Sequence, residues 1–277
     1  MKQHTIYVLF SVLAISILIT GCKKDAEEEE PKCDPFSVDL GEDKVLNEGE
    51  IITLDVTVIN ASYMWSTGET TASISVDTTG MYWVAVTTCF GTVSDTINVN
   101  IRYKTIKLAT DFGDISIWLY HQTPLHRENF LNLVTDQFYD GLIFHRVVEN
   151  FVIQGGDPEG TGYGGPGYTI PAEIISGINH LYGAVGAARL GDDVNPEKAS
   201  NGSQFYIVSD QNGEPGLNGE YTVFGQVFNG LDVVYSISLV AVDGNKRPLE
   251  DVLMNSVSIE YFTASELESL YGFIVPQ

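Results

Sequence analysis

Short β-branched runs punctuated by turn residues dominate the stretch from 36 to 103. Ile51-Ile52-Thr53-Leu54-Asp55-Val56-Thr57 partly alternates apolar and polar positions, and Ala72 to Asp77, Met81 to Thr87 and Thr92 to Ile101 repeat that character. Ser66-Thr67-Gly68-Glu69 and Thr78-Thr79-Gly80 separate the runs and carry turn chemistry. Strands this short and this closely spaced predict an antiparallel β-sandwich.

From Lys104 the pattern changes. Ile106 to Ala109 and Ile115 to Leu119 flank Thr110-Asp111-Phe112-Gly113-Asp114, which predicts a hairpin. A helix follows: Thr123 is placed to cap it, Pro124 suits its first position, and Phe130, Leu131, Leu133 and Val134 form an apolar stripe that ends before Gly141. Strand character returns at Phe144 to Gln154, Gly183 to Ala188, Gln204 to Val208 and Thr222 to Val227. A second helix is expected from Leu231 to Leu239 and a closing strand from Val252 to Tyr261. Many strands, two helices and no βαβ rhythm predict a mainly β fold, a closed barrel covered by helices. The amphipathic tail, 263–277, receives no assignment.

Composition narrows the classes. The chain has 277 residues, enough for two cored domains, and is 44% hydrophobic, which excludes disorder as the main state. A formal charge of −23 argues against nucleic acid as a partner, because phosphates would be repelled. At the N-terminus, Lys2 precedes an apolar run from Tyr7 to Ile19 that is short for a membrane span. It ends in Ile19-Thr20-Gly21-Cys22, which resembles a bacterial lipoprotein box. The resemblance implies a signal peptide over 1–21 and a lipid on Cys22, against the alternatives of an ordinary signal peptide or an anchor helix. Residues 22–35, including Glu27 to Glu30, read as a solvated charged tether. The expected location is the bacterial outer membrane, on its periplasmic or cell-surface face. The run of Lys and acidic residues behind Cys22 also resembles the surface-export signal of Bacteroidetes lipoproteins. One lipidated cysteine leaves Cys33 and Cys89, an even pair in an oxidising setting, which predicts a disulfide. Two separate buried thiols are the alternative.

Tyr63-Met64-Trp65 to Thr71, followed by Gly80-Met81-Tyr82-Trp83-Val84, resembles the immunoglobulin-like or PKD-like modules of Bacteroidetes surface proteins. No metal-ligating cluster is visible there, so a spacer or adhesive role is expected over 36–103. In the second part, Tyr139-Asp140-Gly141-Leu142-Ile143-Phe144-His145-Arg146-Val147-Val148 and Phe151-Val152-Ile153-Gln154-Gly155-Gly156-Asp157 resemble the cyclophilin family closely. Gly183 to Arg189, Asn201 to Ile207 and Leu217 to Val227 resemble three further blocks, in the family's order, and the likeness spans 104–262. It implies an eight-stranded barrel and peptidyl-prolyl cis–trans isomerase activity on proline-containing polypeptides, with no cofactor and no metal. A monomer is expected.

Carried over position by position, the family pattern implies that Arg146 is the catalytic arginine, with Gln154 orienting it and His145 beside the pocket as a secondary catalytic candidate. Phe151, Phe205 and Leu217 would line the proline pocket, with Val152 where the family often has Met. Gln204 and Ala188 would contact the peptide backbone. Tyr221 would form a wall where many members carry His. Taken singly, a strand arginine or a pair of phenylalanines is ordinary structure; the four ordered blocks carry the reading. The glycines from Gly155 to Gly167 lack a following Gly-Lys-Ser/Thr and a helix start, so they do not form a phosphate loop. Gly216 stands where well-known eukaryotic members have Trp, Arg189 replaces a small polar residue, and Leu190 to Ser200 carries an insertion. A proline-peptide binding or adhesion module with little turnover is the competing reading.

Overall fold

The computed structural model describes residues 34–276. The signal peptide, the lipid-attachment residue Cys22, most of the tether and Cys33 lie outside the described residues. Cys89 is disulfide-bonded.

The strands come in the order β1 (Lys44–Asn47), β2 (Ile52–Asp55), β3 (Ser62–Trp65), β4 (Ser73–Val76), β5 (Gly80–Thr88), β6 (Gly91–Thr110) and β7 (Gly113–Leu119). Helix α1 (Pro124–Thr135) follows, then β8 (Arg146–Val148), β9 (Val152–Gly155), β10 (Thr169–Ile170), β11 (Ala184–Ala187), β12 (Ser200–Asn201) and β13 (Phe205–Val208). A single 3-10 turn, Pro215–Leu217, leads to β14 (Val223–Asn229), α2 (Leu231–Ser238), β15 (Met254–Thr263) and α3 (Ala264–Tyr271).

In the N-terminal part, β3, β5 and the first half of β6 pair antiparallel, β1 joins β6 in parallel, and β2 pairs with β4 separately. Alternate residues of both sheets, among them Leu54, Trp65, Ile74, Val76, Val84, Val86, Ile97 and Val99, form one buried cluster. Inward-facing apolar residues at period two produce that core.

Two strands were predicted at Thr92–Ile101 and Ile106–Ala109. The structure has a single strand of 20 residues, β6, that crosses position 104 unbroken. Its second half pairs with β7 on one side and β15 on the other. The hydrogen-bonded path then runs β15–β6–β7–β14–β11–β13–β9–β8. The closed barrel is not found: β8 and β15 form no ladder. The isolated bridge Ile143↔Leu253 and backbone bonds such as Phe144 N to Val252 O (3.0 Å) join them instead. The physical reason is local, since residues 136–141 form turns and 142–145 are irregular apart from the bridge at Ile143, which leaves β8 only three residues long.

Helix α1 packs against β14 and β15, and α2 against β7, β8 and β9. Ile106, Ile117, Phe130, Phe144, Ile153, Phe205, Ile207 and Phe224 belong to the core between them. The unassigned tail contains α3, begun by a capping box in which Thr263 and Glu266 satisfy each other's backbone N–H groups. Beyond it, Phe273 packs on Trp118 and Phe228.

Candidate active site

The segment Phe144–Gln154, expected as one strand, is a hairpin. It turns at Glu149–Phe151, where Asn150 takes a positive φ of 54°. The register sets Arg146 opposite Gln154, and strand alternation sends both side chains to the same outer face. Nη1 of Arg146 donates to Oε1 of Gln154 at 3.2 Å, and Nε2 of Gln154 donates to Oε1 of Gln204 at 3.0 Å. Nε2 of Gln204 in turn donates to the Gly164 carbonyl at 2.8 Å. Each amide accepts with its oxygen and donates with its nitrogen, so the relay holds the guanidinium in one orientation. The guanidinium carbon also sits 5.7 Å from the Phe151 ring centroid. Among the described residues Arg146 forms no ion pair. Burial draws its pKa down and Tyr221 opposes this; a guanidinium stays charged regardless.

Beside Arg146 lies a cavity of about 290 Å³ lined by Arg146, Phe151, Val152, Gln154, Ala188, Arg189, Tyr206, Leu217 and Tyr221. Of the residues expected at the proline pocket, Phe151, Val152, Leu217, Ala188 and Tyr221 meet there. Phe205 does not. It is 1% exposed and packs edge-on against Phe130, Tyr139 and Phe144 in the core. Side chains on a strand alternate, so if Phe205 faces in, its neighbour Tyr206 must face out. Tyr206 is therefore the pocket wall that the sequence reading missed by one position; alternation from Gln204 would have found it. Its ring lies over Gly186, where a Cβ would fall 2.3 Å from Tyr206 Cζ, so only glycine fits. Gln204 does not line this cavity and acts on it through Gln154. His145 is 6% exposed and lies behind Arg146, outside the cavity lining.

Arg189, also unassigned by the sequence reading, has its guanidinium 4.6 Å from the Tyr221 ring centroid. It donates to the Glu220 carbonyl at 2.8 Å and to Asp192 of the insertion at 2.6 Å, tying the insertion to the pocket wall. The glycine-rich segment is organised by Asp157, whose carboxylate accepts from the backbone N–H groups of Glu159, Thr161, Gly162 and Gly164. Burial raises its pKa, but these donors outweigh that and hold it below the usual carboxylate value. Gly164 is required here because a Cβ would sit 2.0 Å from the carboxylate. This carboxylate-filled loop has no room for a phosphate.

A slot with aromatic and aliphatic walls and, at its edge, a guanidinium that has no carboxylate partner among the described residues suits binding without bond-breaking chemistry. Residues 105–259, more than half of the chain, match the family described as Cyclophilin type peptidyl-prolyl cis-trans isomerase/CLD. The chain belongs to that family and is a peptidyl-prolyl cis–trans isomerase. It is 38% identical over 159 residues to the peptidyl-prolyl cis-trans isomerase CYP18-1 of Arabidopsis thaliana, covering 56% of this chain and 94% of that one. Peptidyl-prolyl cis-trans isomerase B of Bacillus subtilis is 44% identical over 133 residues, covering 47% of this chain and 87% of its own. Among solved structures, a Cryptosporidium parvum cyclophilin type isomerase aligns with a TM-score of 0.53 and 31% identity, over 57% of this chain and 97% of its own. A structure of the same protein in the presence of the dipeptide Ala-Pro aligns with a TM-score of 0.52 and 30% identity, over 56% and 98%.

Proposed function

We propose that the protein isomerises prolyl bonds in exported or surface polypeptides, with Arg146 as the catalytic group. One observation carries this: Arg146 is aimed by Gln154 along the edge of a slot walled by Phe151, Val152, Tyr206 and Leu217, and among the described residues no carboxylate pairs with it. Rotation of a prolyl amide meets a barrier of about 18–20 kcal/mol because twisting breaks N–C=O resonance. In the twisted state the nitrogen lone pair is localised and basic. A fixed guanidinium donating to it binds that state better than the planar one, and this difference is what lowers the barrier. Phe151, Val152, Tyr206 and Leu217 would hold the proline ring, while Ala188 and Tyr221 flank the peptide. Gln154 and Gln204 are the positioning groups behind Arg146. The reaction as written needs no cofactor.

Arg146→Ala is expected to lower kcat/KM on a prolyl peptide by roughly 10²- to 10³-fold, the loss seen when one oriented donor is removed. Equal rates for wild type and variant would remove the reading, and would favour a proline-peptide binder.

The address is a separate part of the proposal. A lipid on Cys22 and a charged tether would hold a monomer at the outer membrane, with the 36–103 part as an immunoglobulin-like or PKD-like sandwich serving as spacer. Support comes from the apolar run ending at Gly21-Cys22, from the single core shared by the N-terminal end of the large sheet and the two-stranded β2–β4 sheet, and from the disulfide at Cys89, which suits an oxidising compartment. Cys22→Ala should move the protein from the membrane fraction to the soluble fraction; unchanged fractionation would refute the anchor.

A further inference from the structure

We propose that His180 is a positioning residue for the isomerase: from behind the proline slot it fixes two of the slot's walls, Leu217 and Tyr206, against each other. It rests on the isomerase reading above, and it assigns the grip on the proline ring to a side chain outside the slot. His180 is 2% exposed and does not line the cavity.

Leu217 is the wall least able to hold itself. It closes the 3-10 turn Pro215–Leu217, none of whose residues is buried, and it packs only at the edge of the apolar cluster behind the slot. Hydrogen bonds to His180 secure the turn from both sides. The Glu214 N–H, just before it, donates to the His180 carbonyl at 2.7 Å. Oδ1 of Asn218, just after it, accepts from the His180 N–H at 2.8 Å and from ring Nδ1 at 3.0 Å. Tyr206 is held by the other edge of the same ring. With Nδ1 as the donor, Nε2 is left as an acceptor, and the Tyr206 hydroxyl donates to it at 2.8 Å. Burial raises the pKa of that hydroxyl well above the ordinary phenol value, so it remains a donor. A third wall, Tyr221, meets the imidazole edge-on with ring centroids 6.5 Å apart. Among the described residues His180 forms no ion pair, so a neutral ring joins β13 to the Leu217 turn by hydrogen bonds alone.

The consequence for the reaction is specific. The proline ring stays in the slot while the amide twists, so its contacts with the walls are alike in the planar and twisted states. Such uniform binding sets KM and leaves kcat alone, whereas Arg146 acts on the twisted state. Walls held in place before the peptide arrives also spare the cost of ordering them on binding.

The experiment measures kcat, KM and Kd for a prolyl peptide on the full chain, on His180→Leu, on Tyr206→Phe and on the double variant, each below its thermal midpoint. Tyr206→Phe keeps the ring and removes the bond to His180; it should raise KM roughly 2- to 10-fold with kcat within about twofold. His180→Leu, which removes both nitrogens, should raise KM at least as much. The double variant should be no worse than His180→Leu, because there the hydroxyl has already lost its acceptor. A merely structural His180 would lower the thermal midpoint and leave KM of the folded protein unchanged. That result, a fall in kcat at constant KM, or losses that multiply in the double variant would each overturn the proposal. Should His180→Leu fail to fold, Tyr206→Phe decides by itself, and an unchanged KM there would be fatal. Absence of turnover in wild type would sink the isomerase reading instead, and the Kd series would still decide the role of His180.

Discussion

Tyr206 and His180 act as one unit behind the proline slot. Asn218 Oδ1 accepts from the His180 backbone at 2.8 Å and from its Nδ1 at 3.0 Å, so Nδ1 carries the proton. Nε2 then accepts from the Tyr206 hydroxyl at 2.8 Å, and the two rings stack with centroids 5.9 Å apart. His126 is similarly enclosed, donating from Nδ1 to Glu173 at 2.7 Å and accepting at Nε2 from Ser200 at 2.9 Å. Burial is the largest influence on His180, His126 and His145, and it lowers all three pKa values. Folded protein thus binds these protons more weakly than the unfolded chain does near pH ~6.5. Their contribution to stability is complete above that value and is lost as the pH falls through the lower folded values. The urea midpoint should therefore drop between about pH 7.5 and about pH 5.5, before the carboxylates titrate. A midpoint that holds level or rises over that interval would contradict the assignment.

At the scale of elements, α1 shows how a local signal can be right about position and wrong about the partner. Pro124 begins the helix as predicted, but Thr123 makes no side-chain capping bond; its hydroxyl donates to the Tyr120 carbonyl at 3.3 Å. The free N–H groups of Leu125 and His126 are met by Glu173, at 3.0 and 2.9 Å, from 48 and 47 residues away. A carboxylate at a helix N-terminus is favoured by both hydrogen bonding and the helix dipole. Glu173→Ala should destabilise the protein by about 1–2 kcal/mol, read as a lower thermal midpoint; a change within error would show that water serves as well. The hairpin β8–β9 follows the same pattern. Its strand character is legible from β-branched residues, whereas the turn at Asn150 that sets Arg146 across from Gln154 is not.

For the whole molecule, β6 is the joint. It belongs to both halves of the large sheet, and Glu48, just after β1, closes a second contact by pairing with Arg127 Nη2 at 2.6 Å and with His121 Nε2. Burial raises the Glu48 pKa, but His121 and Arg127 more than offset this, so the carboxylate is held charged. Residues 34–276 should unfold in one cooperative transition, and Glu48→Ala, which leaves the mostly buried Arg127 with only Glu128 of its two carboxylate partners, should lower its midpoint by the equivalent of about 1.5–3 kcal/mol. Two resolved transitions in wild type would show that the halves are independent. From sequence alone, period-two runs located most of the strands, an apolar stripe and Pro124 located α1, and ordered blocks named the family and Arg146. Those signals are local, because backbone geometry repeats side-chain direction every two or 3.6 residues. Long-range pairing lies beyond them. It decided that β6 is continuous and that the sheet stays open between β8 and β15, whereas the choice of Tyr206 over Phe205 as the slot wall was already legible in strand alternation. It also left Arg146 without a counter-charge, because the register that brings up Gln154 brings an amide in place of a carboxylate.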